Sequence, residues 1–140
     1  MYNYMRFDAE QFLKDSRHWS EEIDRLKLEL EAITEIGGQK ELPSGGGVSD
    51  PTFKTAASRE AIQAKIDRIR GYQEQFIYAW NCLSEDDAIV LTGFFFAHGY
   101  TYKFVDYWCE KYHSNRQYCY AARREAIERF GQFCERWMDV

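Results

Sequence analysis

Three features of the sequence predict an all-α fold. Apolar residues recur at helical spacing along nearly every segment outside residues 37–53. No segment reads as an alternating strand. Both prolines, Pro43 and Pro51, fall inside that one Gly-rich stretch. The expected architecture is a long N-terminal helical hairpin, coiled-coil-like, over residues 1–82, with a flexible Gly-rich loop at 37–53. A C-terminal helix-turn-helix bundle over residues 83–140 follows it.

The first helix is expected to start at Asp8, a good N-cap. Met5, Phe12, Trp19, Leu26 and Ile33 recur every seven residues, with Ile23 and Leu30 four after Trp19 and Leu26. That is an a/d seam, and Phe12, Trp19, Ile23, Leu26, Leu30 and Ile33 are its candidate oligomerisation residues. The helix should end at Gly37-Gly38, where glycine suits a left-handed C-terminus. A second helix is expected from Lys54 to Asn81, with Ile62, Ile66, Ile69, Phe76 and Trp80 on its apolar face. Similar lengths and facing seams predict an antiparallel pair. Parallel pairing with a second chain stays open.

The remaining segment is shorter-stepped. Ser84-Glu-Asp-Asp87 resembles a capping box and should open a central helix through Ala97, stopped at His98-Gly99. Thr101 is the expected cap of a short helix to Tyr112, with Val105, Trp108, Cys109 and Tyr112 inward. His113-Ser114-Asn115 is a turn, and Asn115 caps the last helix. Cys119, Ala122, Ala126, Ile127, Phe130 and Phe133 should face inward. The aromatic run Phe94, Phe95, Phe96, Tyr100, Tyr102, Phe104, Tyr107 and Trp108 is expected to form the core of this head. Phe133 and Trp137 should dock the last helix on the bundle.

Composition excludes several classes. The longest uncharged stretch, Ala88 to Tyr102, is too short and interrupted to span a bilayer. No basic segment followed by an apolar run opens the chain, so a cytoplasmic location is expected, with Cys82, Cys109, Cys119 and Cys134 reduced. Cys109 and His113 stand at i and i+4, but a buried cysteine beside a helix-end histidine is the simpler reading, and no metal or cofactor is expected. The run Gly45-Gly46-Gly47 has no following Lys-Ser, and no nucleophile–base pair is visible, so catalysis is not expected.

The net charge of −5 argues at first against a nucleic-acid partner. Its distribution removes that objection. Residues 1–53 carry 6 basic and 11 acidic residues, while 101–130 carry 6 and 4, net +2. Two helices joined by a three-residue turn, braced by a third, follow the helix-turn-helix plan. The outer face of the last helix offers Arg116, Gln117 and Tyr120 for base edges. Lys103, His113, Arg123 and Arg124 are candidates for phosphates. Pairing of Arg123 and Arg124 with Glu128 is the competing explanation of those two.

Leu83-Ser-Glu-Asp-Asp-Ala-Ile-Val-Leu, Val105-Asp-Tyr-Trp-Cys-Glu-Lys-Tyr-His and Asn115-Arg-Gln-Tyr-Cys-Tyr-Ala-Ala-Arg-Arg-Glu-Ala-Ile-Glu-Arg-Phe resemble region 4 of sigma-70-type factors. More closely, the order and spacing resemble phage and prophage proteins related to the ArpU-type transcriptional regulators. Arg123-Arg124-Glu125-Ala126-Ile127 is similar to the ending of that motif, and Ser49-Asp-Pro-Thr52 with Thr55-Ala56 to a linker of one branch. The resemblance implies a sequence-specific, double-stranded-DNA-binding regulator of phage origin in the cytoplasm of a bacterial host cell; the heptad seam adds the expectation of a homo-oligomer. Trp108, Tyr112, Tyr118 and Tyr120 depart from the family pattern, so its base contacts do not carry over. Two alternatives are helical interaction proteins: a partner of RNA polymerase, and a subunit like the small terminase.

Overall fold

The computed structural model describes residues 7–39 and 51–139, with side chains for 7–33 and 56–139. Met5 and residues 40–50 of the expected Gly-rich loop lie outside the described residues. Every described element is helical: α1 (Ala9–Ser16), α2 (Trp19–Gln39), α3 (Pro51–Cys82), α4 (Glu85–Leu91) continued by a π segment (Thr92–Phe96), α5 (Thr101–Lys111) and α6 (Arg116–Trp137). No described helix is long and apolar enough to cross a membrane.

The chain divides into two compact units, Met1–Arg17 with Glu74–Val140, and His18–Gln73. The division falls elsewhere than at 82/83. The reason is that α1 and the last turns of α3 pack with the C-terminal helices. Phe12 and Phe76 lie 6.3 and 5.3 Å from Phe130, measured between ring centroids.

The expected continuous first helix is broken at Arg17-His18. The Ser16 hydroxyl donates to the Leu13 carbonyl at 2.6 Å, and the Arg17 N–H turns back to Lys14. Ser hydroxyls that take a carbonyl of the last turn compete with the helix ladder. The heptad seam is thereby split between the two units. Asp8 does cap α1, accepting from the Gln11 N–H at 3.0 Å. At the far end α2 continues through Gly37 and Gly38 to Gln39.

In the second unit Trp19 lies 5.9 Å from Tyr72, and Leu30, further along α2, lines a groove with Ala56, Arg59 and Gln63. Numbering thus rises along α2 as it falls along α3. Ile23, Leu26, Ile62, Ile66 and Ile69 are buried.

In the first unit α6 packs against α1, α4 and α5. Phe130, Leu13, Val90, Leu91, Val105, Cys119 and Cys134 are its largest fully buried side chains. Gly131 permits the close approach of α1, since a Cβ there would stand 3.1 Å from that of Ala9. The Gln75 amide donates to the Cys134 carbonyl at 2.8 Å, and Trp137 docks 5.4 Å from Tyr78. Asp87, nearly buried, holds the Arg129 guanidinium through two bonds of 2.6 and 2.7 Å. Paired bonds of this kind fix orientation as well as supplying energy.

The π segment replaces the end of the expected α-helix 88–97. The Thr92 hydroxyl donates to the Ala88 carbonyl at 2.6 Å, and the Ala97 N–H reaches back to the Thr92 carbonyl at 2.8 Å. The wider turn spreads three consecutive phenylalanines. Phe95 is buried, Phe94 meets Phe104 and Tyr120, and Phe96 meets Phe76 and Trp80. Thr101 is not the cap of α5; that position is Tyr100, whose side chain makes no capping bond.

Burial pushes the Cys119 thiol up to about 11 and the Cys134 thiol up to about 12, and it raises the Tyr112 hydroxyl, which donates to Asp86, to about 12. Unfolded chains lose these protons near 9.0 for Cys and 10.0 for Tyr. Between those values and the folded ones the unfolded state binds fewer protons, so stability falls with rising pH. Urea melts are expected to be flat with respect to these groups below pH 9. The midpoint should drop progressively from pH 9 towards 12.

Candidate nucleic-acid interface

The turn between α5 and α6 is set by backbone chemistry. His113 adopts φ 51°, a left-handed conformation. Its N–H bonds the Glu110 carbonyl, and the Ser114 N–H bonds the Cys109 carbonyl at 2.9 Å. That is the Schellman pattern, with His113 where glycine is the usual occupant. A side chain in this conformation costs about 1–2 kcal/mol, partly offset because glycine loses more entropy on folding. His113→Gly is therefore expected to stabilise the protein by about 0.5–1 kcal/mol, raising Tm by a few degrees in a thermal melt.

Asn115 then caps α6, its side-chain oxygen accepting from the Tyr118 N–H at 3.1 Å. Successive residues of an α-helix are rotated by about 100°. Arg116, Gln117, Tyr120 and Arg124 consequently share an arc of about 100°, and all four are exposed. Cys119, Ala126 and Phe130, on the adjoining face, are buried.

Arg123 does not belong to that face. Its guanidinium pairs with Glu10 of α1 and lies 5.3 and 5.2 Å from the Phe94 and Phe95 ring centroids. It joins α1 to α6 rather than standing free for phosphate. The sequence did not carry the signal: at about 100° per residue Arg123 falls about 20° from Arg116 on one side and about 20° from Phe130 on the other. Arg129 is likewise tied to Asp87, whose bond is the main cause of its raised pKa. Arg116 stands 3.6 Å from Asp106, both side chains well exposed, an arrangement worth little in water. Arg124 has no ion-pair partner among the described residues, nor has exposed Lys111. Lys111 was not among the expected contacts, although its place in the last turn of α5 puts it beside the turn.

His113 is exposed beside the start of α6. Lys103 is exposed in the first turn of α5, its amine 5.8 Å from the Tyr100 ring centroid. It is ten residues from His113, roughly 15 Å along α5. The structure thus gathers Arg116, Gln117, Tyr120, Arg124 and His113 at one end of α5 and α6, and leaves Lys103 apart.

Two further expectations change. Tyr100, Tyr102 and Tyr107 were assigned to the core but are exposed, with Tyr100 and Tyr102 stacked at 5.6 Å. Tyrosine presents an apolar body with a polar tip, so its pattern does not fix which side it takes. The expected oligomerisation residues Phe12, Trp19, Ile23 and Leu26 are buried within the single chain. Leu30 and Ile33 are half-buried. Among the described residues no group of three or more His, Cys, Asp or Glu side chains is placed to hold a metal ion. Comparison with protein-family models, with curated proteins and with solved structures finds no match to this chain.

Proposed function

We propose that the chain is a sequence-specific DNA-binding protein of phage or prophage origin, a transcriptional regulator of the ArpU type. The observation that carries this reading is the exposed arc Arg116, Gln117, Tyr120 and Arg124, on the first three turns of a capped helix that follows a tight turn. In this reading α5, the turn and α6 form a helix-turn-helix braced by α4, and α6 enters the major groove. Arg and Gln side chains can bond two atoms of a guanine or adenine edge. His113 and Lys111 stand where the flanking backbone would pass, and the antiparallel α2 and α3 form a helical hairpin arm.

The electrostatics set a limit on affinity. With Arg123 and Arg129 engaged internally and Arg136 in the last turn of α6, far along the helix from the arc, Lys103, Lys111, Arg116 and Arg124 are the most that remain for phosphates in the head. Each phosphate neutralised contributes about −0.9 to the slope of log K against log salt, so at most about −3 to −4 per chain is expected. Tight binding then requires two chains on two half-sites. Because the heptad seam is buried in the chain, their contact would use other surfaces.

The test is fluorescence anisotropy of labelled duplexes from the DNA flanking the gene, across a salt series. Binding at low micromolar protein, with that slope and preference over random duplex, is expected. Absence of salt-sensitive binding would refute the reading.

A further inference from the structure

We propose that the cleft formed by the end of α3, α4 with its π segment, and α5 is a binding site for a small organic ammonium cation of the choline type. The cleft has a volume of about 370 Å³ and is walled by Trp80, Phe104 and Tyr107, with Glu85, Thr92 and Gly93 among its lining residues. That volume lies at the small end of the range of about 300–1,000 Å³ typical of ligand pockets.

The chemistry of the lining is one-sided. No Lys, Arg or His lines the cleft, and the Thr92 hydroxyl is taken by the Ala88 carbonyl. What it presents is aromatic surface, the small aliphatic side chains of Ala88, Ile89 and Ala97, and one carboxylate. Three acids occupy the first turn of α4, and two are engaged: Asp86 accepts from Tyr112 and Asp87 holds Arg129. Glu85 has no ion-pair partner among the described residues, and it is the acid that lines the cleft. Ring faces carry negative quadrupole charge, and aromatic walls around a methylated ammonium are the recurrent solution for binding it. A carboxylate at the rim adds the counter-charge.

The walls are held in place. Trp80 stacks on Phe76 at 5.5 Å and 12°, and meets Phe96 edge-on at 5.6 Å. Phe104 lies over Gly93 so closely that a Cβ there would stand 2.1 Å from its ring. It also meets Phe94 edge-on at 5.3 Å. Tyr107, tilted against Phe104 at 6.2 Å, is about half exposed and forms the open side. The site is independent of the arc on α6.

The experiment is an NMR titration of the full chain with choline chloride, following the indole signal that Trp80→Phe removes. The controls are sodium chloride at equal ionic strength and 3,3-dimethylbutan-1-ol, the uncharged isostere. Saturable shifts with choline are expected, with at least about tenfold weaker response to the alcohol. Tyr107→Ala, at an exposed position, should keep the melting temperature and lose binding, and Glu85→Gln should weaken binding several-fold. Equal binding of the uncharged alcohol would mean only an apolar cleft and would overturn the proposal. So would shifts reproduced by sodium chloride, or binding unchanged in Glu85→Gln.

Discussion

Phe130→Ala is expected to destabilise the first unit by about 4 kcal/mol, within the usual range for a buried aromatic truncated to alanine. Phe130 is fully buried on α6, and three rings from other positions converge on it: Phe12 at 6.3 Å, Phe76 at 5.3 Å and Trp80 at 6.4 Å. Those rings belong to α1 and the end of α3, so one truncation opens a cavity where three segments meet. Such rings relax poorly into the vacated space, because each is fixed by other partners; Phe76 and Trp80 also hold Phe96. A melting temperature lower by roughly 15–30 °C follows for a unit of this size. Phe130→Leu, which keeps most of the volume, should cost about 1.5 kcal/mol or somewhat more. A loss below about 1 kcal/mol for the alanine variant would show that Phe130 is not the hub of this core.

The second large effect separates reading from bracing on a single helix. Arg116→Ala combined with Arg124→Ala is expected to weaken DNA binding by about 100-fold at fixed salt, each contact being worth about 1–3 kcal/mol. Both side chains are exposed, so the melting temperature should change little. Arg123→Ala is expected to do the reverse. It removes the pair with Glu10 and the stacking over Phe94 and Phe95, lowering stability by about 1–2 kcal/mol. DNA affinity measured below its melting temperature should stay within a few-fold. Equal loss of affinity in both variants would place Arg123 on the DNA.

Much of the fold was legible because it rests on local rules. Asp8, Ser84 and Asn115 each cap the helix they were expected to cap. The apolar periodicity of α2, α3 and α6 marks residues that are buried: Ile23, Leu26, Ile62, Ile66, Cys119 and Phe130. The failures share a cause, which is that chain spacing does not name a partner. Phe12 and Trp19 continue one heptad seam, yet they belong to different compact units. The pairs Asp87–Arg129 and Glu10–Arg123 join residues far apart in sequence, so charge counted along the chain overstated the free cations of the head. The π segment depends on how three phenylalanines find three different neighbours, which no period reports. Within the candidate interface, the helical wheel alone was enough to set Arg116, Gln117, Tyr120 and Arg124 on one face. It did not exclude Arg123, which the wheel sets about 20° from Arg116; the pair with Glu10 and the contacts with Phe94 and Phe95 do that.

The most direct test of the DNA reading is residue-resolved NMR mapping of the full chain against a duplex obtained by selection from a random pool. The largest shifts are expected at Arg116, Gln117, Tyr120 and Arg124, smaller ones at Lys111 and His113, and little change at Arg123 or Arg129. Shifts confined to other surfaces, or no duplex enriched by selection, would contradict that reading.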